Sequence, residues 1–149
     1  MAAVYTSSLV FIMLVTAQFI YAKSASALSP ATELTFTDHA VRIPVAQVSD
    51  GDLHRYAVRV GSHEVRFWLY KKPDGKIASL FDACEICGAV GFYKSGNQIV
   101  CKNCAAPINA NSVGEAGGCN PIPLKSSASG DDIVIAQSDL ESGEKWFEK

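Results

Sequence analysis

Five cysteines carry the one specific chemical pattern in this chain of 149 residues. Four form two pairs, Cys84-x-x-Cys87 and Cys101-x-x-Cys104, with 13 residues between the pairs. The fifth, Cys119, follows in the run Gly117-Gly118-Cys119-Asn120-Pro121. A two-residue gap lets both sulfurs of a pair face the same ion. Four thiolates satisfy tetrahedral zinc or a single iron, and they also hold an iron–sulfur cluster. Gly88 after Cys87 and Ala105-Ala106 after Cys104 permit a tight turn whose backbone N–H groups point at sulfur. Two other uses of the thiols compete with metal binding. Outside the cytoplasm cysteines pair as disulfides, and two bridges plus one free thiol would use all five. A thiol–disulfide oxidoreductase would need a low-pKa cysteine capping a helix. Gly88 and the β context disfavour that, and the flanking Asp82 and Glu85 are expected to raise the thiol pKa values. Cys119 is either a further ligand or a buried small apolar side chain. The glycines before it allow close backbone approach, and Pro121-Ile122-Pro123 stiffens the exit.

Thiols at fixed positions need rigid backbone on either side, and the sequence predicts strands. Val41 to Val48 has strand composition, with Pro44 marking an edge or a bulge. Ser49-Asp50-Gly51-Asp52 is a turn signal. His54 to Val60 alternates polar and apolar, the pattern of a half-buried strand. Glu64 to Tyr70 predicts a third strand, and Pro73-Asp74-Gly75-Lys76 a turn. Ile77-Ala78-Ser79-Leu80-Phe81 then runs into Cys84, so a meander delivers the first pair at a strand end. Phe92-Tyr93 and Gln98-Ile99-Val100 flank Lys94-Ser95-Gly96-Asn97, a hairpin that folds the second pair onto the first. Residues 105–130, rich in Gly and Pro, are expected to be irregular. Ile133 to Ala136 is a last short strand, Ser138-Asp139-Leu140 starts a turn, and Trp146-Phe147 packs back on the sheet. The expected fold class is mainly β: an antiparallel meander or sandwich with a knuckle-type four-cysteine metal subdomain, behind one N-terminal apolar helix. Trp68, Phe67 and Tyr70 are expected in the core. His39, His54 and His63 are expected to be exposed or hydrogen-bonded rather than auxiliary ligands. No Ser-His-Asp set, phosphate loop or carboxylate pair stands out, so enzyme chemistry outside the thiols is unsupported.

Composition bounds the partners. The chain is long enough for one ordinary domain. Its formal net charge is −2, which gives no electrostatic reason to bind nucleic acid. Ala2 to Ala22 carries no charge, and its centre, Leu9 to Val15, is strongly apolar. Such a stretch either spans a bilayer as an anchor or is a cleavable signal peptide. Ala25-Ser26-Ala27 fits a small-x-small cleavage site with Leu28 as the first mature residue, and cleavage is the preferred reading. Either way the domain is expected to be extracytoplasmic, on the periplasmic or cell-surface side. There is no twin-arginine pair, so the chain crosses unfolded and any metal enters outside. The organisation expected is a signal peptide or anchor over 1–27, a linker over 28–32 and a cysteine-rich domain over 33–149.

The quoted motifs have a family counterpart. Phe81-Asp82-Ala83-Cys84-Glu85-Ile86-Cys87-Gly88, Gly91-Phe92-Tyr93, Val100-Cys101-Lys102-Asn103-Cys104 and Gly117-Gly118-Cys119-Asn120-Pro121-Ile122-Pro123-Leu124 closely resemble the FtrD-like membrane iron–sulfur domain family, over about residues 33 to 147. In that family the domain stands outside the membrane, alone behind an apolar segment or joined to an iron permease. The resemblance implies an iron–sulfur cluster or iron as cofactor, with electron transfer or metal delivery supporting iron uptake. It carries over Cys84, Cys87, Cys101, Cys104 and Cys119 as candidate ligands. Because this chain lacks the permease's spans, a membrane iron permease would be a separate partner. The alternative from the residues alone is a zinc-stapled protein-interaction module.

Overall fold

The computed structural model describes residues 28–148. The strands are β1 (Thr32–Leu34), β2 (Ala40–Pro44), β3 (His54–Val60), β4 (His63–Lys71), β5 (Ile77–Cys84), β6 (Phe92–Ser95), β7 (Gln98–Cys101), β8 (Pro107–Ile108), β9 (Pro121–Pro123), β10 (Ser127–Ser129) and β11 (Asp132–Ala136). One short helix, α1 (Gln137–Glu141), follows them. The expected N-terminal apolar helix lies outside the described residues. Among those described, no helix is long and apolar enough to cross a membrane.

Three sheets form, with orders β1-β3-β4-β5-β9, β10-β11-β2 and β6-β7-β8. The five-stranded sheet is the middle of the molecule because its side chains alternate between two apolar clusters. Tyr56, Val58 and Val60 of β3, Val65, Phe67 and Leu69 of β4, and Phe81 and Ala83 of β5 share one cluster. Val41, Ile43, Ile133 and Ile135 from the second sheet fill it from the other side, with Leu140 and Phe147. Trp68 and Tyr70 of β4 and Leu80 and Cys84 of β5 point the opposite way. There they meet Phe92, Ile99, Cys101 and Ile108 of the third sheet. A period of two along each strand thus feeds both cores at once.

Much of the expected order holds. The strands from His54 to Val60, around Glu64 to Tyr70 and from Ile77 onward pair antiparallel as a meander. The hairpin between the cysteine pairs forms with a two-residue loop, and Gly96 takes the positive φ of 59° that its turn needs. Phe147 packs against Phe81, ring centroids 6.4 Å apart. Four details differ. Strand β1 pairs parallel with β3, so the sheet is mixed. The strand expected to reach Val48 stops at Pro44; the Val45 N–H still donates to the Asp131 carbonyl at 2.8 Å, and Val45–Val48 then winds into a 3-10 turn. Residues 105–130 are not wholly irregular, since they hold β8, β9 and β10. Strand β3 is not half-buried: Arg55, expected on a solvent face, is 5% exposed. An ion pair with Asp82, described below, permits that.

Candidate metal centre

Each cysteine pair is a turn at the end of a strand. Cys84 closes β5. Its carbonyl accepts from the Gly88 N–H at 2.9 Å, and its own N–H reaches the Gly88 carbonyl at 3.1 Å. Inside this turn the Cys87 N–H donates to Cys84 Sγ at 3.1 Å. Gly88 takes φ 70° to close it. Cys101 closes β7 in the same way. Its carbonyl accepts from the Ala105 N–H at 3.0 Å, and its N–H reaches the Ala106 carbonyl at 3.0 Å. Ala105 occupies the position of Gly88 and carries φ 55°, a left-handed conformation seldom held by a residue with a Cβ. The two pairs are therefore copies of one knuckle.

The hairpin β6–β7 turns the second knuckle onto the first. The sulfurs of Cys84, Cys87 and Cys101 lie within 4.8 Å of one another. Cys84 and Cys101 are fully buried, Cys87 is half-buried and Cys104 is exposed. Strand β9 brings the fifth thiol: Pro121 pairs with Cys84 in register, which places Cys119 beside the first knuckle. Cys104 and Cys119 stand outside the close triad, yet their thiols act on each other, and Cys104 also acts on Cys101 and Cys87. All five thiols are free.

The protons on these thiols respond to burial and to N–H donors. The Ala106 N–H, and then the Cys101 thiol, hold Cys104 below the ordinary thiol value of 9.0. Burial pushes Cys101 above it, against the N–H groups of Cys104 and Asn103 that point at its sulfur. The hydrogen bond with Cys104, followed by burial, pushes Cys119 up. Of the two carboxylates that flank the first pair, Asp82 is engaged by groups other than thiols. Both Asp82 oxygens are occupied, one by the Arg55 Nε–H at 2.9 Å and one by the Phe92 N–H at 3.1 Å. Neither carboxylate is among the groups that act on Cys101, Cys104 or Cys119. A helix-capping thiol pair is likewise not what forms, because both pairs cap strands.

The histidines stay away from the sulfurs. His54 Nε2 lies 2.6 Å from Asp50, and His63 Nδ1 lies 2.8 Å from Glu144. His39 sits in the turn before β2 with φ 58°. Trp68, Phe67 and Tyr70 are core residues, although on opposite faces of the sheet. The Trp68 indole N–H is buried without a partner, in the cluster that encloses Cys84 and Cys101. The Arg55–Asp82 pair was not legible as part of the site. Its one partial signal was the aspartate two residues before Cys84, since Arg55 read as a solvent-face residue.

Soft thiol donors select zinc, copper(I) or iron–sulfur centres over hard cations. Among the described residues, no imidazole or carboxylate joins the close sulfur triad. Backbone N–H groups aimed at sulfur stabilise thiolate charge, as ligands to such centres require. The residues present therefore fit an iron–sulfur or thiolate-bound metal group. No curated protein matches the chain. Comparison with protein families matches residues 48–147 to a family described as "Membrane iron-sulfur containing protein FtrD-like". That span includes both knuckles and Cys119, and with it the chain belongs to the FtrD-like family.

Proposed function

We propose that this domain holds an iron–sulfur cluster or iron on its thiols and supports iron uptake outside the cytoplasmic membrane, passing electrons or metal to a membrane iron permease. The observation that carries the proposal is the convergence of thiols from both knuckles within 4.8 Å. The family description supplies iron–sulfur and membrane as context. An iron–sulfur centre, when bound, supplies one-electron exchange at a potential set by its hydrogen bonds and exposure.

The protein's own residues divide the work. Cys84 and Cys101 anchor the site from buried strand ends, and Cys87 and Cys104 close it from the turns. Cys119, brought in by β9, completes or gates it. Trp68, Phe92 and Ile99 exclude water from the buried side. Cys104 faces solvent, and so does Ile86, 69% exposed at the tip of the first knuckle. That rim is the side open to a partner.

Protein purified without oxygen tests the proposal by elemental analysis and an optical spectrum. Bound iron with visible absorption that bleaches reversibly on reduction is the expected result. Bound zinc, with no colour and no redox response, leaves the zinc-stapled interaction module instead. One observation favours a second reading, thiol–disulfide exchange: Cys104 is exposed and its pKa is lowered. Alkylation of metal-free protein at neutral pH decides it. Reaction at Cys104 no faster than at an ordinary thiol removes that class.

A further inference from the structure

Strand β6 is the edge of its sheet, and Phe92 turns its N–H and carbonyl away from β7. What it meets there is an ion pair rather than another strand. The Phe92 N–H donates to Asp82 Oδ1 at 3.1 Å. The Phe92 carbonyl accepts from Arg55 Nη2. Arg55 Nε closes the pair on Asp82 Oδ2 at 2.9 Å. The side chains are 3% and 0% exposed. One acceptor and one donor, locked together, thus occupy the place of a neighbouring residue's backbone carbonyl and N–H.

The location of this surrogate strand gives it a consequence. Asp82 lies two residues before Cys84 on the same face of β5. Phe92 stands opposite Cys101 in the β6–β7 register. The pair is therefore a short link between the strand that carries the first knuckle and the hairpin that carries the second. Gly91 is fitted to it. Its φ is 90°, and a Cβ there would come within 3.2 Å of Asp82 Oδ2 and 2.8 Å of the Leu28 side chain. Arg55 Nη1 also donates to the Ser29 carbonyl at 2.7 Å, so the chain entering the fold is held by the same guanidinium.

We infer that Arg55 and Asp82 are positioning residues for the metal centre, setting the separation of the two knuckles. This rests on the reading of the thiols as a metal site. An ion pair in a core can be replaced without loss when apolar packing is all that matters. Here both partners also satisfy backbone groups next to the ligands, so a change in either moves the sulfurs.

Full-length chain loaded with Co²⁺ supplies the test. The measurements are the thiolate–cobalt absorption spectrum, the rate of metal loss to a chelator, and the hydrogen exchange of the Phe92 amide. Arg55→Lys and Asp82→Asn are expected to release cobalt at least tenfold faster, with an altered spectrum and faster Phe92 exchange. Gly91→Ala leaves both charges in place and is expected to change all three in the same direction. Ile135→Val, in the opposite core, is the control for general destabilisation and is expected to release metal within twofold of the wild type. Wild-type rates and spectra in the folded Arg55 and Asp82 variants overturn the inference, as does equally fast release from Ile135→Val. Unfolding of all three site variants overturns it too, because the pair would then hold the whole domain rather than the site. A wild-type chain that takes up no cobalt overturns the metal-site reading itself.

Discussion

Two serine substitutions separate what a cysteine does for the fold from what it does for a metal. Cys101 is fully buried in the cluster with Phe92 and Ile99, whereas Cys104 is exposed at the rim. In Cys101→Ser the new oxygen keeps the N–H donors of Cys104 and Asn103 that now point at sulfur. Its own O–H then meets only the weak sulfur acceptors of Cys104 and Cys87. A buried polar group without a partner costs about 1–3 kcal/mol, and the retained donors favour the lower half of that range. With a urea slope of about 1–3 kcal/mol per molar, the midpoint of metal-free protein falls by roughly half to one molar. Below the pH at which Cys104 ionises, Cys104→Ser leaves that midpoint at the wild-type value, since its oxygen is in water. Loaded protein behaves differently. If both residues are ligands, each substitution removes one thiolate of a closed set and weakens binding roughly a hundred- to a thousandfold. The assay is urea unfolding with and without bound metal, with a chelator competition for affinity. Unchanged affinity in Cys104→Ser removes Cys104 from the ligand set. Equal midpoints for the two metal-free variants refute the assignment of their difference to burial.

Other perturbations read different parts of the structure. Gly143 has no room for a Cβ, which would sit 2.1 Å from the Phe81 ring. Gly143→Ala should therefore lower the thermal-unfolding stability by about 1–3 kcal/mol through overpacking. In the knuckles, Ala105→Gly relieves a left-handed φ and should stabilise by about 0.5–1 kcal/mol, whereas Gly88→Ala should cost about 1–2 kcal/mol. Chemical denaturation reads both, and equal effects at the two positions would break the parallel between the turns. Stability of the metal-free form should rise with pH toward the ordinary thiol value of 9.0 and fall beyond it. Below 9.0 the folded chain loses the Cys104 proton before the unfolded chain does, so raising pH favours folding. Above 9.0 the unfolded chain ionises while buried Cys101 keeps its proton, and Tyr56, raised by burial above 10.0, continues that fall. Cys104→Ser should abolish the rising limb alone in a pH series of urea midpoints. Removal of the metal should speed amide exchange in β6 and β7 and leave β4 and β11 protected, as exchange mapping before and after chelation would show. Uniform loss of protection would mean that the metal supports the entire fold.

What the sequence disclosed was local. The period of two in β3, β4 and β5, the turns at Pro73-Asp74-Gly75 and Gly96-Asn97, and the cysteine spacing are written within a few residues of one another. They set the meander, the hairpin and the knuckles. The parallel pairing of β1 with β3 is not local, because neither strand's composition encodes its neighbour. Strand β9 was hidden for another reason. Pro121 and Pro123 read as loop residues, and they are tolerated only because β9 lies at a sheet edge. The Arg55–Asp82 pair was the least legible of all. An arginine in an alternating strand signals a solvent face, and nothing near position 55 discloses that position 82 neutralises it.

The two faces of the central sheet explain why the site can be both rigid and accessible. One face is a closed sandwich, sealed by Val41, Ile43, Ile133 and Ile135 and by the returning Phe147. It contains no cysteine, so packing there supports the fold without the thiols. The other face is covered by a three-stranded sheet with a smaller cluster, in which Cys84 and Cys101 are themselves core residues. Both of these buried sulfurs stand where a strand ends, β5 at Cys84 and β7 at Cys101. The turns that follow carry Cys87 and Cys104 progressively outward, from half-buried to exposed. The thiols thus run from the core to the surface within one knuckle pair. A metal held among them would be insulated from water on the sheet side and reachable at Cys104, as the proposed exchange with a second protein requires.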